Sequence, residues 1–150
     1  MAESGAKPTM SPFTDTEIDY LTSQPLGRLA TVDTRGRPQV KPVGVFYDPE
    51  NAGLVVGGVD MAASKKFRDA AADPAVAVVV DDLASLDPWS PRGIEIRGRA
   101  ETRTEGGEET GRRLGAGFPF SPAWILIRPR RIVSWGIGAD SFESSARTVA

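Results

Sequence analysis

The residue types that most often carry chemistry are thinly spread in this sequence, and two of them are missing. Its 150 residues include no histidine and no cysteine. That removes the commonest general base near neutral pH and the commonest metal ligand, and it excludes a Ser-His-Asp triad, thiolate nucleophiles and disulfides. The chemistry left to the chain is cationic. Lys65-Lys66-Phe67-Arg68 follows Ser64 near the start of an expected helix, and Lys41 stands in the run Val40-Lys41-Pro42-Val43 on an expected strand. A helix N-terminus offers free N–H groups and the positive end of a dipole, so lysines there suit an anion such as a phosphate. The same basic run also reads as a solvated helix face. With Phe67 at the centre of the apolar face, Ser64 falls at its edge, Lys66 and Arg68 on its flanks, and Lys65 nearly opposite, toward water. Ser64 and Lys66 are therefore favoured, and Lys65 stays in the set because helix starts are ragged. Asp81-Asp82 is a weak metal candidate, since adjacent residues on a strand point to opposite faces. Gly115-Ala116-Gly117 lacks both the buried strand before it and the clear helix after it that a dinucleotide fingerprint needs.

The elements that must position these residues are mostly strands. Phe13-Thr14-Asp15-Thr16-Glu17 opens a helix, with Thr14 and Glu17 spaced as a capping box, and Pro25-Leu26-Gly27 ends it. Arg28 to Asp33 reads as a strand, Thr34 to Arg37 as a turn centred on Gly36, and Pro38 to Tyr47 as a second strand. Val43, Val45 and Tyr47 alternate while Val40 is out of phase, and Pro42 between them predicts a bulge or bend. A third strand, Leu54 to Val59, contains Gly57-Gly58. A helix over Met61 to Ala72 buries Ala63, Phe67, Ala70 and Ala71. Ala75 to Val80 is wholly apolar and reads as a strand buried on both faces. Residues 83–92 read as a loop carrying Trp89, either a lid or a surface anchor. Ile94 to Arg103 alternates Ile94, Ile96, Gly98 and Ala100 against Glu95, Arg97, Arg99 and Glu101. A Gly-rich polar stretch with a short helix near Glu108 to Leu114 follows, then strands Trp124 to Ile127 and Arg131 to Ile137 around Pro129. Many short strands, two or three short helices and no regular βα alternation predict a mainly β fold, a small barrel with helices on its side. The expected organisation is an N-terminal arm over 1–12, one domain over 13–138 and a C-terminal tail over 139–150.

Composition bounds the partners. Forty per cent hydrophobic and 25% charged residues suffice for a core and a hydrated surface, and the net charge is −2. Without a global basic field, neither nucleic acid nor an anionic membrane is an expected partner, and an anionic ligand needs a local cluster of lysines. No apolar run approaches the roughly 18 residues of a membrane span. The opening MAESGAKPTMSP lacks the apolar core of a secretory signal, so the cytoplasm is the expected location.

Three stretches taken together resemble the pyridoxamine-phosphate-oxidase-like superfamily: Gly27 to Asp33 with Gly36-Arg37-Pro38 and Val40 to Val43; Ser64 to Asp69 ending at Asp73-Pro74; and Arg128 to Ile137. Their order and spacing, from about Phe13 to Ile137, look like the branch of reductases that use the deazaflavin coenzyme F420. Ser134-Trp135-Gly136-Ile137 is similar to the subgroup that includes the dehydrotetracycline reductases of antibiotic pathways. The resemblance implies a split β-barrel of six to seven strands, like the FMN-binding proteins, and a homodimer with its cofactor groove at the subunit interface. It implies that Lys41, Pro42 and Val43 line the cofactor ring and that Gly58, Ser64, Lys65 and Lys66 hold its phosphate. The implied activity is hydride transfer from reduced F420 to an activated double bond of a small-molecule substrate, such as a tetracycline-like polyketide. The cofactor would carry the hard step, which suits a chain without His or Cys, and the proton source stays open among Tyr47, a lysine and water. Two alternatives keep the fold: an FMN-dependent oxidase or reductase, and a non-catalytic flavin, deazaflavin or tetrapyrrole carrier.

Overall fold

The computed structural model describes residues 11–138 and 143–150. The first helix, α1 (Asp15–Ser23), starts where the capping box puts it: Thr14 Oγ1 accepts the Glu17 N–H at 3.2 Å and the Glu17 carboxylate accepts the Thr14 N–H at 2.9 Å. The strands β1 (Leu26–Val32), β2 (Pro38–Asp48) and β3 (Gly53–Val56) follow. A short 3₁₀ turn (Met61–Ala63) leads into α2 (Lys65–Ala72). Then come β4 (Ala75–Ser85), β5 (Ser90–Arg103), α3 (Gly107–Arg113), β6 (Trp124–Trp135) and β7 (Ser144–Thr148). The sheet order is β3-β2-β1-β4-β5-β6-β7, and β3 also pairs with β6, so β1 to β6 close into an antiparallel barrel with β7 added outside. The fold is the split β-barrel that the sequence predicts.

Alternation along each strand fills the barrel. Leu29, Val43, Val45, Leu54, Val56, Val78, Val80, Ile94, Ile96, Ile125, Ile127 and Ile132 point inward and are buried. A smaller second core lies outside β3 and β6, where Phe120 and Trp124 cover Val55 and Leu126.

Several details differ from the sequence reading, each for a physical reason. The β1–β2 ladder runs without interruption from Leu26↔Gly44 to Val32↔Pro38, so Pro42 makes no bulge. Its missing N–H is tolerated because this half of β2 pairs only with β1. The irregularity lies instead between β5 and β6: Arg97 faces Arg131 and Gly98 faces Pro129, leaving Arg130 as the extra residue of one continuous strand. The expected 83–92 loop shrinks to four residues, because β4 and β5 continue into a long hairpin. Strand β4 is buried on one face only. Val76, Val78 and Val80 point in, while Ala75 is exposed and Ala77 and Val79 are half-buried on the outside. Helix α2 starts four residues later than the apolar pattern suggests, at Lys65 and not Met61. It buries Phe67, Asp69 and Ala70, and it leaves Ala63 and Ala71 exposed. Within the expected tail, Ser144–Thr148 pairs with β6, and Arg147 bonds the buried Glu17 carboxylate at 2.7 Å. The expected N-terminal arm lies, as far as residue 10, outside the described residues. Among the described residues no helix is long and apolar enough to cross a membrane.

One buried carboxylate ties the barrel to α3. Asp48 is fully buried and accepts Arg113 Nη1 and Nη2 at 2.7 and 2.9 Å, Asn51 Nδ2 at 2.7 Å and the Glu50 N–H at 2.9 Å. Burial pushes its carboxyl up, but these donors and the guanidinium charge outweigh it and hold the pKa at about 2. The folded value lies below the ordinary 3.8, so the stabilisation is complete above that pH and is lost as pH falls toward 2. Asp48→Asn is expected to cost about 3 kcal/mol at neutral pH and to flatten this acid limb. Urea unfolding followed from pH 6 to pH 2 checks both.

Candidate site at the split of the barrel

Strand β2 serves two partners in succession. Pro38 to Gly44 pairs with β1, and Val45 to Asp48 pairs with β3. Beyond Val45↔Val56 the two strands part, so Gly57-Gly58 leaves β2 beside Val43 and Gly44, and one edge of β2 is open from there back to Pro38. Lys41 and Pro42 are exposed on this stretch, Val43 is buried, and Val59, just past Gly58, is 71% exposed. An open edge of this kind presents backbone donors and acceptors to whatever lies along it.

Two aromatic rings occupy the fork. Phe120 lies so close to Gly57 that a Cβ there would come within 2.2 Å of its ring, and Phe118 covers Gly44, where a Cβ would meet its edge at 3.4 Å. The two rings are 5.4 Å apart, and Phe46 lies 5.7 Å from Phe120 and 6.4 Å from Phe118. The loop that carries them is fastened to the site: the Ser121 N–H donates to Gly58 O at 2.7 Å, and the Met61 N–H donates to Ser121 Oγ at 3.1 Å.

The start of α2 supplies positive charge. Ser64 is its N-cap: Oγ accepts the Phe67 N–H at 3.3 Å and donates to Met61 O at 2.6 Å. Its hydroxyl is thus engaged in the cap, which leaves the N–H groups of Lys65 and Lys66 in the uncapped first turn. Lys65 is half exposed, but its ammonium is held by the buried Asp69 at 3.0 and 3.2 Å and stands 3.9 Å from Asp33. It does not point freely to water. Lys66 is partly buried and forms no ion pair or hydrogen bond with a described residue. Asp33 joins the two halves of the site. Its buried carboxylate accepts the N–H groups of Arg35 and Arg37 at 2.9 Å, Arg37 Nε at 3.0 Å and Gln39 Nε2 at 3.3 Å. The Arg37 backbone donor leads in holding its pKa below the usual carboxylate value. Gln39 and Lys41 share one face of β2, so the α2 lysines and Lys41 belong to one side of the fork.

Other candidates lie elsewhere. The Tyr47 hydroxyl donates to Ser11 Oγ at 2.9 Å, and its ring packs edge-on against Phe13 at the far end of β2. Trp89 is 61% exposed at the tip of the β4–β5 hairpin. Asp81 pairs with Arg28, while Asp82 accepts from Arg92 at 2.7 and 2.9 Å and from Tyr20 at 2.7 Å, so the two acids do diverge. Sequence reasoning missed Phe118, Phe120 and Asp33. The available signals were the paired aromatics of Phe118-Pro119-Phe120 opposite the Gly57-Gly58 doublet, and an Asp closing a strand just before Gly36.

The outer face of the sheet has an apolar centre bordered by Arg28, Glu95, Arg97 and Arg99. Val40 of β2 is 64% exposed, Ala30, Val32, Ala77 and Val79 are half-buried, and Trp135 lies over Gly93 at the far side. Two adjoining clefts run across this face and share Ala30 and Ala77.

A closed six-strand antiparallel barrel in which one strand divides its pairing between two neighbours is the split-barrel architecture. The family model described as pyridoxamine 5'-phosphate oxidase matches residues 13–133. A 5a,11a-dehydrotetracycline/5a,11a-dehydrooxytetracycline reductase of Streptomyces rimosus is 43% identical over 129 residues, which cover 86% of this chain and 87% of that one. Among solved structures, an F420 reductase is 26% identical with a TM-score of 0.57, covering 76% of this chain and 94% of that one. A haem-binding protein of Mycobacterium smegmatis shares the fold at a TM-score of 0.64 and 22% identity, over 91% of this chain and 59% of that one. The chain belongs to the pyridoxamine 5'-phosphate oxidase family.

The closeness of Phe120 to Gly57 gives a direct test of the fork. Gly57→Ala is expected to destabilise the protein by about 1–3 kcal/mol through overpacking, while Gly36→Ala, in open space at φ +74°, loses less. Melting temperatures of the two variants compare them.

Proposed function

We propose that this protein is a homodimeric oxidoreductase that holds coenzyme F420 at the fork of its barrel and reduces an electron-poor double bond of a tetracycline-like polyketide. The observation that carries this reading is the 43% identity, over most of both chains, to a reductase acting on dehydrotetracyclines. The likeness to an F420 reductase supports the choice of coenzyme.

The residues at the fork fit such a group. The open edge of β2 at Lys41, Pro42 and Val43 suits the polar rim of a planar heterocycle, and Gly58 leaves room beside it. Lys66, without a counter-ion among the described residues, and the uncapped N–H groups of α2 suit a phosphate. When bound and reduced, the coenzyme supplies a hydride to one carbon of the double bond, and a proton at the neighbouring position completes the reduction. The chain's own part is to bind, orient and exclude water. Tyr47 is spent on Ser11 inside the far end of the barrel, which favours a lysine or water as proton source.

The apolar outer face supports the dimer. A contiguous patch from Val40 through Ala30 and Ala77 to Trp135 is unusual for a monomer. Because Val40 and Pro42 share one face of β2, a second copy seated there borders the cofactor edge, and dimer and cofactor site form together.

Two results test the proposal. Fluorescence titration is expected to show tighter binding of F420 than of FMN, with Lys66→Ala weakening F420 about tenfold or more and Lys65→Ala weakening it less. Preference for FMN would keep the fold and overturn the coenzyme. Ala77→Arg, at the centre of the outer face, is expected to give a monomeric mass by light scattering and to lose F420 binding. A folded Ala77→Arg dimer would overturn the interface.

A further inference from the structure

Phe118 packs with Phe46 and Phe120 at the edge of the second core, and that packing accounts for only part of its ring. Phe120 is 4% exposed and fills the fork against Gly57, so it anchors the loop. Phe118 is only partly buried, yet it stands over Gly44 on the outer face of β2, one alternation from Pro42. Its ring is tilted 34° from that of Phe120 and 51° from that of Phe46, so the trio is not a closed stack and one flank of Phe118 remains accessible. The Ser121–Gly58 hydrogen bond and the Phe120 anchor hold its backbone at the site. Val59 beyond Gly58 and Pro42 on β2 continue the same apolar rim.

We propose that Phe118 is a specificity-determining residue: the wall at the mouth of the fork against which the flat part of a fused-ring acceptor packs. This rests on the proposed function, since it assigns the acceptor's side of that same site. The reasoning is steric and electronic. A coenzyme lying along Lys41, Pro42 and Val43 takes up the backbone edge, and a substrate reaching it from solvent must pass the rim. That rim offers few polar groups and one aromatic face. Aromatic contacts of this kind favour broad planar acceptors over small ones, because the gain scales with the overlapping ring area.

The test is equilibrium binding of oxytetracycline, and of a one-ring benzoquinone as the small comparison, to the dimer with and without F420. Phe118→Ala is expected to raise the Kd for oxytetracycline about tenfold, to leave the benzoquinone and F420 within about twofold, and to lower the melting temperature by only a few degrees. Phe118→Tyr is expected to restore oxytetracycline binding, and Phe118→Leu, which keeps bulk without a flat ring, to restore only part of it. Full restoration by Leu would reduce the residue to a spacer and overturn the proposal. So would unchanged oxytetracycline binding in the Ala variant, an equal loss of F420 binding, or no binding by the wild type. Oxytetracycline binding that depends on Phe118 in a protein that does not bind F420 would overturn the coenzyme assignment and leave this inference standing.

Discussion

Strand β2 cannot pair with β1 and β3 along its whole length and also leave a place for a ligand. The fold resolves this by giving β1 the first half of β2 and β3 the second, with the change falling between Gly44 and Val45. Everything proposed for function follows from that division. It frees one backbone edge, and a free edge in a small barrel is an aggregation hazard unless something blunts it. Here Pro42 and Lys41 do so in part. At the fork Phe120 comes down on Gly57, which has left the β2–β3 ladder, and Phe118 comes down on Gly44 of β2.

A second constraint is charge. The chain is mildly acidic overall, and most cations are already committed: Arg113 to Asp48, Arg92 to Asp82, Arg147 to Glu17, and Lys65 to Asp69. The Arg113 pair fastens α3 to β2 and the Arg147 pair fastens β7 to α1, while Arg92–Asp82 joins β4 to β5 and Lys65–Asp69 lies within α2. Carboxylates as buried as Asp33 and Asp69 would be costly without partners, so Lys65 serves the fold before it could serve a ligand. Two adjacent lysines with identical chemistry thus differ, because one is paired with carboxylates and its neighbour pairs with none among the described residues.

What the sequence disclosed was whatever depends on neighbours a few residues away. The Thr14–Glu17 box, the turn at Gly36 and the alternation of Ile94 to Ala100 follow from local geometry, and the barrel with its helices could be read from them. The bulge was assigned to Pro42 when it belongs at Arg130, because proline marks where a donor is missing but not whether a partner strand asks for one. The expectation that Lys65 points to water overlooks Asp69, four residues on and on the same side of the helix, and helical phase does not show Asp33, which arrives from the end of β1. The loop through Phe118 and Phe120 read as polar and featureless, since its meaning lies in the glycines across the fork.

The reading of β4 bears directly on the proposed dimer. Ala75, Val76, Ala77, Val78, Val79 and Val80 form an unbroken apolar run, and such a run is the usual mark of a strand covered on both sides. Within one protomer it is covered on one side only: the valines at 76, 78 and 80 fill the barrel, and Ala75, Ala77 and Val79 look outward. The outward positions are small, as is Ala30 beside them on β1, and two clefts with apolar centres cross the surface there. Such a face gains little from solvent and much from a second apolar surface, and an isologous contact supplies one by pairing the surface with itself. If β4 is in fact covered on both faces, as its composition implies, the second cover comes from another copy of the chain. The same contact would shelter the open edge of β2, so the proposed dimer and the proposed cofactor site answer one structural need.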